Sequence, residues 1–160
     1  LSWQLKTIRT RMFTHTGPKR GEVFVVSNFA QQVARIEAGK QLPTISVGNL
    51  DSLRTFIDVR DAVVAYWLLV TQCKPGEVYN IGGVETMTIG EMLNTLIGMS
   101  KVKGITIEQD PSRLRPSDVT LQVPSTEKFH QRTGWKPKIK FETTLNDTLN
   151  YWRGKMGITF

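Results

Sequence analysis

Apolar positions recur along this chain at two periods, and the switches between them mark out its elements. Within residues 24–38, apolar side chains fall at Val25, Phe29, Val33 and Ile36; steps of four, four and three put them on one helical face. Gly39 follows where a left-handed residue closes a helix. Upstream, residues 5–13 read as a strand rich in Thr, Ile, Met and Phe that begins without turn or cap chemistry. Gly17, Pro18 and Gly21 make residues 14–21 a loop. Residues 43–47 form a short strand, 48–52 a turn and 54–56 another brief extended piece. Asp58 caps a second helix with Asp61 in its first turn, where the helix dipole favours an acid. Ala62, Val63, Tyr66, Leu69 and Val70 form its expected buried stripe, and Lys74-Pro75-Gly76 stops it.

Glu77-Val78-Tyr79-Asn80-Ile81, closed by Gly82-Gly83, has the short apolar form of a central parallel strand. Thr88 and Glu91 have the spacing of a capping box, opening a helix over 89–99. A strand at 105–107 precedes a loop at 110–118 punctuated by Pro111 and Pro116. A short helix starts at Ser125 and ends at Gly134-Trp135, residues 137–140 are extended, and Leu145, Leu149, Trp152 and Met156 mark the buried face of a last helix. Strands alternating with helices indicate an α/β chain, with too little strand for a complete doubly wound sheet.

Composition narrows the class. At 160 residues and 39% apolar, the chain can bury a real core. The longest apolar run, around Ala62 to Val70, falls far short of the ~20 residues that span a bilayer, and the opening LSWQLKTIRTRMF has no signal-peptide core. These features predict a cytoplasmic protein without membrane contact. The lone Cys73 excludes an internal disulfide framework and a multi-thiolate zinc site, and no metal site is expected.

A net charge of +7 calls for an anionic partner to be considered first. The excess sits at Lys6, Arg9, Arg11, Lys19 and Arg20, and at Lys128, Arg132, Lys136, Lys138 and Lys140. Neither segment has a nucleic-acid module pattern, so nucleic acid is set aside. GxGxxG, P-loop, HExxH and GxSxG are all missing from the sequence. Tyr151 and Lys155 have the YxxxK spacing, but Gly154 interrupts the helix and no cofactor-binding strand precedes them.

The arginines carry more. Arg54 follows a Gly-Asn-Leu-Asp turn, and Arg113 and Arg115 lie in the Pro-punctuated loop, where side chains can converge on an anion. A guanidinium fork matches phosphate oxygens, so two such arginines suit a diphosphate, with surface salt bridges as the common alternative. Asp118 can accept from ribose hydroxyls.

Five ordered stretches, RMFTHTGPKRGEVFVVSNFAQQVARIEAG, VGNLDSLRTFIDVRDAVVAYWLL, GEVYNIGG, DPSRLRPSD and TGWKPKI, span essentially the whole chain. In them it resembles the C-terminal half of extended short-chain dehydrogenases/reductases acting on GDP-sugars, namely the GDP-mannose 4,6-dehydratases and the GDP-4-keto-6-deoxymannose reductases. The resemblance implies the end of a Rossmann-type NAD(P)-binding domain (residues 1–15 and 54–82) and a small mixed α/β substrate domain (residues 16–53 and 83–160). It implies NADP as cofactor, touched by His15 and Arg20 of the HTGPKR stretch. Thr14 then lies next to the sugar, Val25 and Asn28 beside the guanine, Arg54 and Arg115 on the diphosphate, and Asp118 on the ribose. Thr14 stands where the family usually has Asn, and Thr55 where an Asp often follows the arginine.

The substrate implied is GDP-mannose or GDP-4-keto-6-deoxymannose. The Lys19-Arg20 pair resembles the dehydratases, while RTFIDVRD, VYNIGG and Glu37 lean toward the reductases; the dehydratase is placed first, the reductase second, and a non-catalytic nucleotide-sugar-binding module is the further alternative. The cofactor loop and the catalytic Tyr and Lys would lie in an N-terminal Rossmann half, leaving this chain with no catalytic residue and inactive by itself. A homo-oligomer is expected for the full-length protein.

Overall fold

A computed structural model describes residues 4–114 and 119–158. Among the described residues, nine short strands and five α-helices follow one another as β1 (Arg9–Met12), β2 (His15–Thr16), α1 (Val25–Glu37), β3 (Thr44–Val47), β4 (Leu53–Thr55), β5 (Ile57–Asp58), α2 (Val59–Gln72), β6 (Val78–Ile81), β7 (Thr86–Thr88), α3 (Ile89–Gly98), β8 (Thr106–Gln109), β9 (Leu121–Gln122), α4 (Glu127–Thr133) and α5 (Phe141–Met156). A one-turn 3-10 helix, Pro111–Arg113, lies between β8 and β9. Parallel pairing dominates: β1 with β6, β2 with β5, and β3 with β8. β4 is the centre of a three-stranded sheet, antiparallel to β7 and parallel to β9. Parallel partners need long crossovers, and the intervening helices supply them.

Local signals set the helix ends. The Thr88 hydroxyl accepts the Glu91 N–H at 3.0 Å while the Glu91 carboxylate accepts the Thr88 N–H at 2.7 Å, the reciprocal capping box at the start of α3. Asp58 caps α2 by accepting the Arg60 N–H at 2.8 Å. Gly39 and Gly134 adopt φ of +66° and +68° just past α1 and α4, a conformation that costs a glycine little. Asp61, expected to answer the dipole of α2, also accepts the backbone N–H groups of Lys138 and Ile139 at 3.0 and 2.9 Å, tying the 137–140 segment to that helix.

Two apolar clusters result. The larger gathers α1, β3, α3 and α5 around Phe29, Val33, Ile45, Leu93, Leu96, Leu145 and Leu149. The smaller gathers Ile57, Ala62, Ala65, Leu69, Tyr79, Ile81, Phe129 and Trp135 around α2, β6 and α4. The chain crosses from one cluster to the other between Phe56, stacked on Phe141 at 4.6 Å, and Ile57. Polar bonds rivet this crossing: the buried Thr144 hydroxyl donates to Asp58 at 2.8 Å, and the half-exposed Arg60 bridges Asp58 and Asp147.

The predicted stripe of α2 is only partly correct. Ala62 and Leu69 are buried, with Ala65, whereas Val63, Tyr66 and Val70 are exposed, together with Val64 and Trp67. The helix is apolar around most of its circumference, so periodicity alone did not fix the face that meets β6 and α4. The strands β7 and β9 were also not anticipated; at three and two residues they are too short to show an alternating pattern.

Candidate functional site

The N-terminal turn of α1, the 48–52 turn, β4 and the Pro111–Arg113 turn enclose a cleft of about 550 Å³, the scale of a small-molecule site. Its apolar wall is Phe24, Val25, Phe29 and Leu114; Asn28, Asn49, Ser52, Arg54 and Arg113 bring polar groups to it. The first turn of α1 holds no acidic residue, so nothing on the helix offsets its positive end. Glu22, also on the cleft, receives the Gln31 side-chain amide at 2.6 Å. The guanidiniums of Arg54 and Arg113 bring to the cleft donor forks suited to an anionic ligand.

Each wall has a local cause. Arg54 sits mid-strand in β4, between Met87 of β7 and Gln122 of β9. Arg113 rides on the 3-10 turn, which Asp110 organises by accepting from the N–H and hydroxyl of Ser112 at 2.9 and 2.6 Å. Those bonds hold the Asp110 carboxyl below its ordinary pKa. Gly48 lets this turn approach: a β-carbon there would lie 2.8 Å from the Arg113 carbonyl oxygen. Arg113 then reaches back to Asp110 at 3.3 Å and to the Asn28 side-chain oxygen at 3.2 Å.

The loop before α1 is anchored at both ends. The Ser27 hydroxyl donates to the Arg20 carbonyl at 2.6 Å and accepts the Trp152 indole N–H at 2.9 Å. The Arg20 guanidinium lies 3.6 Å from the centre of the Phe24 ring, a cation–π contact beside the cleft, and burial draws its pKa down.

Of the residues expected at a site, Val25, Asn28 and Arg54 line the cleft. Arg20 meets it through Phe24. Thr14 and His15 are outside its lining, at the β1–β2 corner, where the Thr14 hydroxyl donates to Gln122 at 3.3 Å and His15 Nδ1 lies 3.2 Å from the Phe13 carbonyl. Arg115 and Asp118 lie outside the described residues. Arg113, read in the sequence as a loop arginine able to converge on an anion but given no role by the resemblance, is on the cleft; Glu22, Asn49 and Ser52 are not among the expected site residues. The Gly48-Asn49 turn was the available signal, because a glycine in a connector marks close backbone approach. Among the described residues no group of three or more His, Cys, Asp or Glu could hold a metal ion, and no helix is long and apolar enough to cross a membrane.

Comparison with known proteins agrees with this architecture. Against the structure of RMD from Pseudomonas aeruginosa complexed with NADPH, the TM-score is 0.86 at 31% identity, over 94% of this chain and 49% of that one. A UDP-glucose 4-epimerase from Thermotoga maritima, solved with UDP-glucose, gives 0.80 at 25% identity over 95% of this chain and 47% of that one. The fold is thus that of the extended short-chain dehydrogenases/reductases, the epimerase and dehydratase class. In sequence, the chain is 32% identical to GDP-6-deoxy-D-mannose reductase of Pseudomonas aeruginosa, over 94% of this chain and 49% of that protein. It is also 32% identical to GDP-mannose 4,6 dehydratase 1 of Arabidopsis thaliana, over 82% of this chain and 36% of that protein. The sequence model of GDP-mannose 4,6 dehydratase matches residues 1–148, and the chain belongs to this family. It spans about half the length of its bacterial relative, or less of the plant one.

Proposed function

We propose that this chain is the GDP-sugar-binding part of an NADP-dependent nucleotide-sugar enzyme, working with an N-terminal Rossmann half. The cleft carries the reading: an apolar wall for a base, with Arg54 and Arg113 for a diphosphate, in one volume of about 550 Å³. Arg115 and Asp118, by their motif, add a second diphosphate contact and a ribose contact. Residues 1–15 and 54–82 belong to the Rossmann-type sheet, and 16–53 and 83–160 to the substrate domain. Two features support a partner half: among the described residues β1 pairs with β6 alone, and α2 turns Val63, Tyr66, Trp67 and Val70 to solvent. Such a strand edge and apolar face suit an added parallel strand and its crossover helix.

His15, an imidazole in β2, and Arg20, a guanidinium on the loop after it, would hold the anionic end of NADP, with Thr14 next to the sugar. When bound, NADP supplies hydride transfer at the sugar; this chain's residues bind and orient the remote diphosphate so that the reacting carbon is presented to it. As GDP-mannose 4,6-dehydratase, the reading given by the family match, the whole protein oxidises C4, removes water across C5 and C6, and returns the hydride to C6. As GDP-4-keto-6-deoxymannose reductase it delivers hydride from NADPH to the C4 ketone with a proton to the oxygen. The reductase reading is supported by 32% identity over 151 residues with the Pseudomonas protein, against 132 residues at the same identity with the plant dehydratase. Cytoplasmic location and homo-oligomer assembly go with either reading.

Calorimetric titration with GDP, ADP and UDP-glucose tests the site, with guanine-selective binding expected. Equal affinity for all three would remove the GDP-sugar reading. Turnover assays with the N-terminal half supplied separate the chemistries: NADPH consumption with the 4-keto sugar marks a reductase, and formation of that ketone from GDP-mannose a dehydratase. The chain alone is expected to bind without turning over.

A further inference from the structure

The loop that carries Arg20 is held from the last helix of the chain. In α5 the Trp152 indole N–H donates to the Ser27 hydroxyl oxygen at 2.9 Å, and Ser27, in α1, donates its own proton to the Arg20 carbonyl at 2.6 Å. An indole nitrogen only donates and a carbonyl only accepts, so the Ser27 proton has one direction, toward Arg20. Ser27 is fully buried, and the Tyr151 ring meets Trp152 edge-on at 5.4 Å between centres. On its other side the Arg20 N–H closes a turn onto the Gly17 carbonyl at 3.3 Å, with Lys19 at a φ of +71°. Proline in second place and a positive φ in third are the marks of a type II turn, where glycine is the usual third residue. A lysine there carries strain, which persists only where its surroundings over-determine the backbone. The Arg20 guanidinium lies against the Phe24 ring, and among the described residues no carboxylate pairs with it. A fixed piece of backbone thus presents an uncompensated cation, which suits an anionic group such as a phosphate.

We propose that Trp152 and Ser27 are positioning residues for the dinucleotide: they fix where the Arg20 guanidinium stands, and so set the affinity for the anionic end of the cofactor. This inference rests on the reading of Arg20 as a cofactor contact; Trp152 and Ser27 touch no ligand themselves. Without the relay the strained turn is free to relax, and an arginine on a mobile loop loses more freedom on meeting an anion than one already held. The effect is local. Arg54 stands on β4 and Arg113 on the 3-10 turn, which the relay does not touch, so the nucleotide cleft keeps its affinity.

Two measurements test it, on Trp152→Phe, which keeps an aromatic ring and loses the N–H, and on Ser27→Ala. With the chain alone, limited trypsin digestion reads the loop, because the enzyme cuts after Lys19 and Arg20; each variant is expected to be cut there at least about fivefold faster than the parent. With the N-terminal half supplied, fluorescence titration with NADPH reads the contact: both variants are expected to bind at least about fivefold more weakly, while GDP affinity by calorimetry stays within about twofold of the parent. A relay also makes the changes non-additive, so the double variant loses no more NADPH affinity than Ser27→Ala alone. Circular dichroism melts confirm that the variants fold. Unchanged tryptic cutting, GDP affinity lost in step with NADPH affinity, or losses that add in the double variant each overturn the proposal. Arg20→Ala is the reference: unchanged NADPH affinity there removes the cofactor reading of Arg20 and this inference with it, whereas a loss there with none in Trp152→Phe and Ser27→Ala overturns this inference alone.

Discussion

Helices α1 and α2 are similar in length and both rich in apolar residues, yet they meet opposite fates. In α1, eight of thirteen residues are buried, and its polar members Ser27, Asn28 and Gln32 are spent on defined hydrogen bonds. In α2 only four of fourteen are buried, and Trp67 and Val70 stand 68% and 78% exposed. The difference separates a wall that this chain completes by itself from a layer that it leaves open. Clustered exposed aromatic and aliphatic side chains of this kind mark an interaction face, whereas a scattered apolar residue means little.

The strongest way to break the self-sufficient side is through its buried ion pair. Glu37 at the end of α1 holds Arg153 of α5 through two bonds of 2.6 and 2.7 Å, with both side chains under 8% exposed. Arg153→Ala leaves a buried carboxylate without its cation and is expected to cost about 3–5 kcal/mol in urea unfolding. A loss below about 1 kcal/mol would falsify the view that this pair locks α1 to α5.

Next in size are the cleft arginines. Arg54→Ala and Arg113→Ala each remove a charge-assisted contact and should lower GDP affinity by about 1.5–3 kcal/mol, read by calorimetry. Unchanged affinity in both variants would take the diphosphate away from this cleft.

Acid gives a smaller, graded effect. Burial alone would raise the carboxyl pKa values of Glu37 and Asp58, but the Arg153 and Arg60 guanidiniums, with neighbouring N–H and hydroxyl donors, hold both below their ordinary values of 4.5 and 3.8. Both groups thus bind protons less readily folded than unfolded. Their contribution is full at neutral pH, erodes as pH falls through the ordinary carboxylate range, and is gone below the lowered values. Urea midpoints measured from pH 7 down to pH 3 should fall, and Glu37→Gln should flatten that slope.

The smallest effect on stability belongs to α2. Trp67→Lys touches little of this chain's own packing and should move its stability by no more than about 0.5 kcal/mol. The same change should lower binding of a hydrophobic dye to the isolated chain and weaken capture of a supplied N-terminal half. A stability loss like that of a core substitution would mean that α2 is not an open face.

How much of this was legible in the sequence follows the range of each cause. The capping box at Thr88 and Glu91, the glycine ends at Gly39 and Gly134, and the apolar face of α1 depend on neighbours within one or two turns, and periodicity reads them. The buried side of α2 depends on where β6 and α4 lie. Ala62, Ala65 and Leu69 compete with Val63, Tyr66 and Val70 as stripes, and no local rule ranks them. In the cleft, Asn28 came through the family resemblance, Arg113 through its Pro-punctuated loop, and Arg54 through both its turn and the resemblance. Gln32 stayed hidden: a glutamine amid apolar positions looks like ordinary helix surface until β3 is seen to offer it the Ser46 backbone.

The crossing between the two clusters bears on the entropy of binding. Arg54 lies four residues before Asp58, whose carboxylate is fully buried and held by Arg60 and Thr144. Backbone freedom that a ligand would otherwise have to remove from this strand is removed during folding, so the Arg54 side of the cleft is a preformed surface whose residual adjustment lies in side-chain rotamers. The crossing is a weld and not a pivot. Tightening around a guest then falls to the opposite wall, where Arg113 rides on a single helical turn fastened by Asp110.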